Sequence, residues 1–301
     1  MKSIFRFTPN SDLPRFESTS ILDRRVFRNL FSFHPSRSEP NEVINKFLKG
    51  KSITTENPSN HASNTPNKAA LQKALSNILE NGNFNTEYQP IVSLENESIF
   101  AYEALARFRI EGSDLSPDFV FKELHDHEEL FFEFEKNLKR FQIQNRPYNE
   151  RLFLNLDPHV CKNEIQAKHW CDLLSGQKNL VCEIIENTDS TLTAETRFCL
   201  KKLSGAEIPL ALDDVGGREN LFCFDFLEYS KYIKFDKYWL NLIKSKESYK
   251  YLLWGFLDFA RESNILCVLE GIETAEDLRL ASEMRFPLVQ GFLFKSENIS
   301  V

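Results

Sequence analysis

Polar residues, most of them with oxygen atoms that can bind cations, stand at or just beyond the carboxyl ends of most predicted strands. Each of them ends or follows a short apolar run. They are Asn155, Glu183, Asp213, Asp214, Lys234, Glu270 and Gln290. In a parallel barrel these strand ends converge on one rim, where active sites are built from several strands. We therefore expect these side chains to form one polar site.

An eighth polar residue, Glu103, lies inside the strand-like segment AYEALARFR at 101–109. Arg107 shares its face, because alternate residues of a strand point to the same side. Taken singly, Glu103 and Arg107 could form an ion pair, and Asn155 or Asp213 could cap a following helix. Several carboxylates on one rim, however, repel one another, and each buried charge is costly. The pattern therefore predicts that cations lie among them.

The predicted donors are oxygen atoms, and no His or Cys falls in the same strand register. This donor set favours Mg²⁺ or Mn²⁺ over zinc. Four residues can surround one ion: Glu103, Asn155, Glu183 and Asp213. Asp214 can reach a second ion, with Asp213 as the bridging ligand. Because two ions about 4 Å apart activate water and hold phosphoryl oxygens, we expect hydrolysis of a phosphodiester or a phosphomonoester.

From about residue 69, apolar runs alternate with amphipathic helical segments. A helix is predicted at KAALQKALSNILENG, and eight strand candidates follow: NTEYQPIVSL, SIFAYEALARF, RLFLNL, LVCEII, IPLALDD, YIKFD, NILCVLEGI and LVQGFLF. This βα alternation predicts a TIM-like (β/α)8 barrel rather than an open sheet. Only SLENES joins the first two strands, so they should pair as an antiparallel hairpin.

Composition limits the classes of function. The chain has 301 residues and a net charge of −7, and everything after residue 50 is acidic overall. Such a body argues against coating DNA or RNA. The six cysteines show no metal-like spacing and are interpreted as reduced core thiols. We find neither a signal peptide nor the roughly 20 apolar residues of a transmembrane segment, so we expect a cytoplasmic protein.

Three regions are predicted along the chain. Residues 1–50 form a basic extension of short amphipathic pieces, which could dock on the main body, on a protein partner or on an anionic membrane surface. Residues 51–68 are rich in Ser, Thr, Asn and Pro and are interpreted as a linker. Residues 69–301 form the barrel domain and carry all the predicted chemistry.

Eight segments between residues 88 and 294 resemble, in order, the signature blocks of EAL domains, the bacterial cyclic di-GMP phosphodiesterases. They are YQPIV, EALAR, FLNLDP, CEIIENT, ALDDVG, YIKFDK, LEGIET and VQGFLF. The resemblance implies a TIM-like barrel with an antiparallel first strand. It also implies cleavage of cyclic di-GMP to linear pGpG with two Mg²⁺ or Mn²⁺ ions, and assembly as a homodimer.

The resemblance also implies a role for each matched residue. Metal ligands of the family match Glu103, Asn155, Glu183, Asp213 and, for the second ion, Asp214. Lys234 matches the lysine that contacts the attacking water, and Glu270 matches the proposed general base. Further polar or nucleotide-contacting positions match Gln89, Arg107, Glu273 and Gln290. Glu186 matches a glutamate that steadies the loop after the two aspartates.

That loop departs from the family pattern. Residues 215–221 read VGGRENL, where the family usually has F-G-T-G-Y-S-S. The family loop orders the second metal site and couples it to dimerisation, and members with an altered loop are often weak or inactive enzymes. Three functions therefore remain open: a cyclic di-GMP phosphodiesterase, a non-catalytic receptor or protein-interaction module, and a metal-dependent enzyme acting on another phosphate ester.

His125 and His127, in the segment LHDHEEL, have a spacing that looks metal-like. Alternate histidines in a polar loop beside acidic residues are more typical of a solvated turn, and we predict such a turn there.

Overall fold

Eight strands close into a barrel in the computed structural model. It describes residues 68–81, 84–110, 113–147, 150–185, 190–218, 222–294 and 297–300. The predicted extension at 1–50 and the predicted linker, apart from Lys68, lie outside the described residues. The predicted first helix is confirmed as α1 (Lys68–Asn81).

The elements alternate along the chain as the sequence predicts. The strands are β1 (Asn85–Ser93), β2 (Ser98–Ile110), β3 (Ser113–Leu115), β4 (Leu152–Asn155), β5 (Leu180–Ile185), β6 (Leu210–Val215), β7 (Tyr232–Phe235), β8 (Leu266–Leu269), β9 (Leu288–Gln290) and β10 (Glu297–Ser300). The helices that follow α1 are α2 (Pro117–His125), α3 (Glu128–Gln144), α4 (Glu164–Leu174), α5 (Ser190–Gly205), α6 (Tyr238–Ser245), α7 (Tyr249–Glu262) and α8 (Ala275–Glu283).

Strand β1 is antiparallel to both of its neighbours in the barrel, β2 and β9. The remaining neighbours pair in parallel in the order β2, β4, β5, β6, β7, β8 and β9. The predicted barrel with an antiparallel first strand is therefore confirmed. Closure through β1 places Gln89 opposite Glu103 and Ile91 opposite Gln290, which joins the two ends of the domain.

Two short strands were not predicted. β3 pairs with residues 108–110 at the far end of β2, and β10 pairs with residues 85–88 at the start of β1. They have three and four residues, which is too short for a visible alternation of apolar and polar side chains. Both extend single strands beyond the barrel and leave its closure unchanged.

One apolar layer fills the interior of the barrel. Each of the eight barrel strands contributes one residue to it: Ile91, Ala101, Phe153, Val181, Ala211, Tyr232, Val268 and Leu288. We call this set the apolar floor. Burying it excludes water from one end of the barrel and gives the next layer of side chains a rigid, low-dielectric base.

None of the helices in the described ranges is both long enough and apolar enough to cross a membrane. Local signals explain several of their ends. Ser116 caps α2, with Pro117 in its first turn, and Thr274 with Asp277 forms a capping box at α8. These caps satisfy amide groups that a helix leaves unpaired at its start.

Candidate active site

A polar layer lies directly above the apolar floor. Side chains that point to the same side of a strand are two residues apart. Moving two positions from each floor residue therefore gives a second inward-facing set: Gln89, Glu103, Asn155, Glu183, Asp213, Lys234, Glu270 and Gln290. We call these eight residues the polar layer. Every one of them is a predicted site residue, and each comes from a different strand or strand end.

Lys234 occupies the centre of the polar layer and is 1% exposed. Its Nζ lies 2.9 Å from Glu103 Oε2, 2.9 Å from Glu183 Oε1, 3.0 Å from Asp213 Oδ1 and 2.9 Å from Glu270 Oε1. One ammonium thus contacts four carboxylates, more than its single charge can neutralise. The excess negative charge makes this centre suitable for additional cations.

Amide side chains hold Glu103 in place from both sides. Asn155 Nδ2 donates to Glu103 Oε1 at 2.7 Å, and Gln290 Nε2 donates to Glu103 Oε2 at 2.7 Å. Gln290 also donates to Gln89 Oε1 at 2.9 Å. These bonds fix the orientation of Glu103 while leaving the carbonyl oxygens of Asn155 and Gln290 for other partners.

Asp214 joins the site through a break in β6. Successive strand residues normally point to opposite faces, yet one oxygen from each of Asp213, Asp214 and Glu270 lies within 4.8 Å of the other two. The backbone explains this, because Asp214 has a φ of 55°, in the left-handed region that non-glycine residues rarely adopt. The pairing of β6 with β7 shifts register between Leu212 and Val215 at the same point.

Burial disfavours the charged form of the carboxyl groups in this site. It raises the pKa of Glu183 and Glu270 well above the usual value for a carboxyl group. Burial, and then the charge of Asp213, raise the pKa of Asp214 to about 7. Burial also opposes ionisation of Glu103, but Lys234, Gln290 and Asn155 together hold its pKa below the usual value.

Lys234 remains charged although it is buried. Burial alone would lower its pKa, but the surrounding carboxylates, led by Asp213 and Glu103, raise it well above the usual value. The ammonium therefore stays protonated at neutral pH.

The donor set fits divalent cations. One group of ligand atoms comes from Glu103, Glu183 and Asp213, and a second from Asp213, Asp214 and Glu270. Several buried oxygens, Asn155 Oδ1, Glu183 Oε2 and Gln290 Oε1, have no hydrogen-bond partner among the described residues. Oxygen ligands that share a bridging carboxylate suit a pair of Mg²⁺ or Mn²⁺ ions.

Among the described residues, two predicted site residues belong neither to the polar layer nor to the group that contains Asp214. Arg107 does not pair with Glu103, since its Nη2 lies 2.6 Å from Glu87 Oε2 and its Nε donates to the same oxygen at 2.8 Å. Glu273 is exposed, and its backbone amide donates to Asp277 at the start of α8. Arg107 is 39% exposed and sits beyond the barrel end of β2, where it can meet a ligand.

The loop that departs from the family pattern begins with a tightly packed turn. Gly216 has a φ of 79°, and a Cβ there would lie 2.1 Å from the indole nitrogen of Trp239. That nitrogen donates to the carbonyl of Val215 at 3.0 Å. Trp239 therefore holds the start of the loop. Arg218 is exposed, while residues 219–221 and the predicted loop-stabilising Glu186 lie outside the described residues.

Sequence reasoning missed Glu87 and Trp239. Glu87 could have been found from the hairpin register, because Arg107 pairs with Asn85, and Glu87 is the next residue on the same face of β1. Trp239 gave no signal, since it lies in α6 and reaches Gly216 only through tertiary packing.

Comparison with known proteins identifies a family and several relatives. The profile of the family described as EAL domain matches residues 69–297. The chain is 24% identical over 222 residues to the probable cyclic di-GMP phosphodiesterase PdeN of Escherichia coli. It is 25% identical over 229 residues to the cyclic di-GMP phosphodiesterase RocR of Pseudomonas aeruginosa. These matches cover 69% and 72% of this chain, but only 42% and 58% of the relatives, so the chain spans about half their length.

Solved structures share the barrel. The FimX EAL domain from Pseudomonas aeruginosa bound to c-di-GMP superposes with a TM-score of 0.63 at 18% identity, over 74% of this chain and 93% of that one. BlrP1 of Klebsiella pneumoniae, in a manganese/cy-diGMP complex, has a TM-score of 0.59 at 21% identity, over 72% of this chain and 59% of that one. At these identities the likeness establishes the fold.

Proposed function

The chain belongs to the EAL domain family, and we propose that it is a phosphodiesterase that hydrolyses cyclic di-GMP to linear pGpG in bacterial signalling. One observation carries this proposal: two clusters of three carboxylates lie side by side and have Asp213 in common. The first contains Glu103 and Glu183, and the second contains Asp214 and Glu270. A shared carboxylate is what a two-metal phosphodiesterase needs to hold two ions close together. The relatives named above as cyclic di-GMP phosphodiesterases support the choice of substrate.

The chain would hold its ions with oxygen ligands alone. Glu103, Asn155, Glu183 and Asp213 would bind the first ion, and Asp214 would bind the second, with Asp213 between them. When bound, Mg²⁺ or Mn²⁺ supplies Lewis-acid chemistry that makes water more acidic and offsets charge on the phosphoryl oxygens. The hydrogen bonds from Asn155 and Gln290 to Glu103 would keep that carboxylate oriented as a ligand.

Lys234 and Glu270 would orient and activate the attacking water. Lys234 stays protonated and would donate a hydrogen bond to the water, while Glu270 would accept its proton as the general base. Their contact of 2.9 Å puts both groups at one position in the site. Burial raises the pKa of Glu270, which makes its carboxylate a stronger base than an exposed one.

Substrate contacts would come from the edge of the site. Gln89 and Arg107 would contact the dinucleotide, and Glu273 and Gln290 would add polar contacts. The guanidinium of Arg107 suits a phosphate because it is permanently charged and can donate two parallel hydrogen bonds. Glu186 would steady the loop at 215–221. We further expect a homodimer, as in the family, and a protein partner that binds residues 1–68.

The test is hydrolysis by the purified full chain. Enzyme with cyclic di-GMP and either Mn²⁺ or Mg²⁺ should release pGpG, detected by chromatography. Glu103→Gln keeps the shape of the side chain but removes its charge, and should lower kcat by about a hundredfold or more because a ligand is lost. Glu133→Gln, the same change at an exposed ion pair, is the matched control. The absence of turnover at micromolar enzyme with both metals would contradict the proposal.

One observation favours a second function, a cyclic di-GMP receptor or protein-interaction module without catalysis. The loop at 215–221 departs from the family pattern, and it carries an exposed arginine at 218. Calorimetry with cyclic di-GMP separates the alternatives. Binding without hydrolysis indicates a receptor, and no binding indicates a protein-interaction module. Hydrolysis of another phosphate ester in a substrate panel would indicate a different metal-dependent enzyme.

A further inference from the structure

A second cluster of metal-type ligands lies outside the polar layer. It consists of His125, Asp157 and His159, which we call the histidine cluster. His125 Nε2 lies 2.7 Å from Asp157 Oδ2, and His159 Nδ1 lies 2.7 Å from Asp157 Oδ1. The two imidazole rings stack with their centroids 4.2 Å apart. One nitrogen of each ring therefore points at a different oxygen of the same carboxylate.

The cluster is assembled from separate parts of the fold. His125 is the last residue of α2, at the turn that the sequence predicts before α3. Asp157 follows β4 and caps a short 3-10 helix, Pro158–Val160, accepting the backbone N–H of His159 at 2.9 Å. His127, which the sequence places beside His125 in the metal-like spacing, is not a member of this cluster. The structure pairs His125 with residues more than thirty positions away instead.

The geometry of the cluster is close to that of a zinc site. One ligand atom from each of the three residues lies within 4.8 Å of the other two. Zinc binds imidazole nitrogen and carboxylate oxygen at about 2.0–2.2 Å, commonly with three protein ligands and water in the fourth position. Ligand atoms in such a tetrahedron are about 3.3 Å apart, so the two N···O contacts need to open by about half an ångström, and the stacked rings must also move apart for both nitrogens to face one ion.

The surroundings allow an ion to enter. The side chains of His125, Asp157 and His159 are 33%, 22% and 26% exposed, so the cluster is held in place yet open to solvent. Lys162, whose positive charge acts on His159, pairs with Glu128 at 2.9 Å. Glu195 adds a negative charge near His159. The local field therefore favours a cation.

We propose that His125, Asp157 and His159 form a binding site for Zn²⁺ or a similar transition-metal ion, separate from the polar layer. Each ring binds the ion as a neutral imidazole through the nitrogen that now faces Asp157, so its N–H proton moves to the other ring nitrogen, and the extra proton of any imidazolium goes to solvent. Imidazole nitrogen selects such an ion over Mg²⁺, which prefers oxygen. The bound ion ties the end of α2 to the segment that follows Asn155.

The test uses the full chain, Co²⁺ as a spectroscopic substitute for zinc, and excess Mg²⁺ to occupy oxygen-only sites. One equivalent of Co²⁺ should bind with the intense visible absorption of a four-coordinate ion, and Zn²⁺ should displace it. His159→Asn and His125→Gln place an amide N–H where each ring N–H now donates. Both variants keep the hydrogen bonds to Asp157 but should weaken Co²⁺ binding by about a hundredfold or more.

Control variants make the outcome decisive. His127→Gln removes the neighbouring histidine outside the cluster and should leave Co²⁺ binding unchanged. Glu183→Gln alters the polar layer and should also leave the four-coordinate absorption unchanged. The proposal is overturned if no such absorption develops, if His159→Asn retains it, or if Glu183→Gln removes it. Because none of these readouts uses hydrolysis, they are independent of whether the protein is a phosphodiesterase.

Discussion

The polar layer and the histidine cluster are both groups of potential metal ligands, but the fold builds them in different ways. Barrel strands supply the polar layer, and closure of the sheet leaves Glu183 and Lys234 almost without solvent contact. A helix end and a loop supply the histidine cluster, whose side chains stay between a fifth and a third exposed. Oxygen ligands fill the first site, and nitrogen ligands dominate the second. Burial therefore decides how much each group of charges destabilises the fold when no cation is bound.

This difference has energetic consequences. Inside the polar layer an unpaired charge has no water to solvate it, so loss of one partner leaves several others without compensation. In the histidine cluster, water can replace a lost partner at small cost. Mutations in the two regions should therefore differ in how much they lower the free energy of unfolding.

The largest loss of stability should follow Lys234→Met. This change removes the ammonium that contacts four carboxylates while keeping most of the side-chain volume. The free energy of unfolding should fall by about 3–5 kcal/mol in the presence of a chelator, measured by urea denaturation. Added Mn²⁺ should restore part of it, because bound ions replace the lost positive charge.

Lys136→Met is the matched control for Lys234→Met, since Lys136 pairs with an exposed glutamate on α3. Its effect should stay below about 1 kcal/mol. Equal losses for the two variants would show that burial does not distinguish the two environments.

Gly216→Ala should have the next largest effect. The residue has a φ of 79°, and the added Cβ would overlap the indole of Trp239. A left-handed conformation alone costs a non-glycine residue about 1–2 kcal/mol, and Trp239 must also move. Urea denaturation should therefore show a loss of at least this size, and hydrolysis should fall because Asp214 lies two residues away.

The control for Gly216→Ala is Gly255→Ala, on α7. A Cβ at Gly255 would meet nothing within 4 Å, and alanine favours a helix over glycine by about 1 kcal/mol. This variant should be as stable as the wild type or more stable. A destabilised Gly255→Ala would mean that the packing around α7 is tighter than described.

Asp157→Ala tests the histidine cluster and should cost less. It removes the bonds from His125 and His159 and the cap on the 3-10 helix, but water can reach the vacated groups. We expect a loss of about 1–2 kcal/mol without added metal. Asp172→Ala, at an exposed ion pair on α4, should cost under about 0.5 kcal/mol. A loss as large as that of Lys234→Met would contradict the contrast between the two regions.

The smallest effect should come from Asp277→Asn, at an acidic residue outside both regions. Burial by itself would raise the pKa of Asp277. Hydrogen bonds from the side chains of Lys244 and Thr274 and from two backbone amides outweigh it and hold that pKa below its usual value. Its folded form thus favours the charged state, so its contribution is present above the unfolded pKa of about 3.9 and is lost as pH falls. The exposed Lys244 adds little.

Chemical denaturation from pH 7 down to about pH 2 measures this contribution, because it is lost below the unfolded pKa. Asp277→Asn should be less stable than the wild type by about 1 kcal/mol at pH 7, and the difference should shrink below about pH 4. A difference that grows on acidification would mean that the capping box does not depend on the charge of Asp277.

Much of the site follows from the period of two along each strand. Glu183 and Asp213 were predicted because they end clear apolar runs, and the same rule places them above the floor residues Val181 and Ala211. Arg107 and Glu273 show the limit of this rule. Arg107 shares the face of Glu103 but lies beyond the barrel end, where Glu87 binds it. Glu273 lies four residues beyond Leu269, the last residue of β8, so strand alternation no longer predicts where it points.

The amino-acid sequence by itself determined the eight barrel strands, their order and the polar residue that each contributes, because alternation and apolar runs are local properties of the chain. Only the tertiary structure decided that Lys234 stands among four carboxylates, that Trp239 packs against Gly216, and that His125 meets Asp157 and His159. Those contacts join residues from 21 to 131 positions apart, at distances that depend on how the sheet closes and how the helices pack. No local pattern specifies them, because hydrogen bonds and ion pairs act over a few ångströms in space and carry no trace along the sequence.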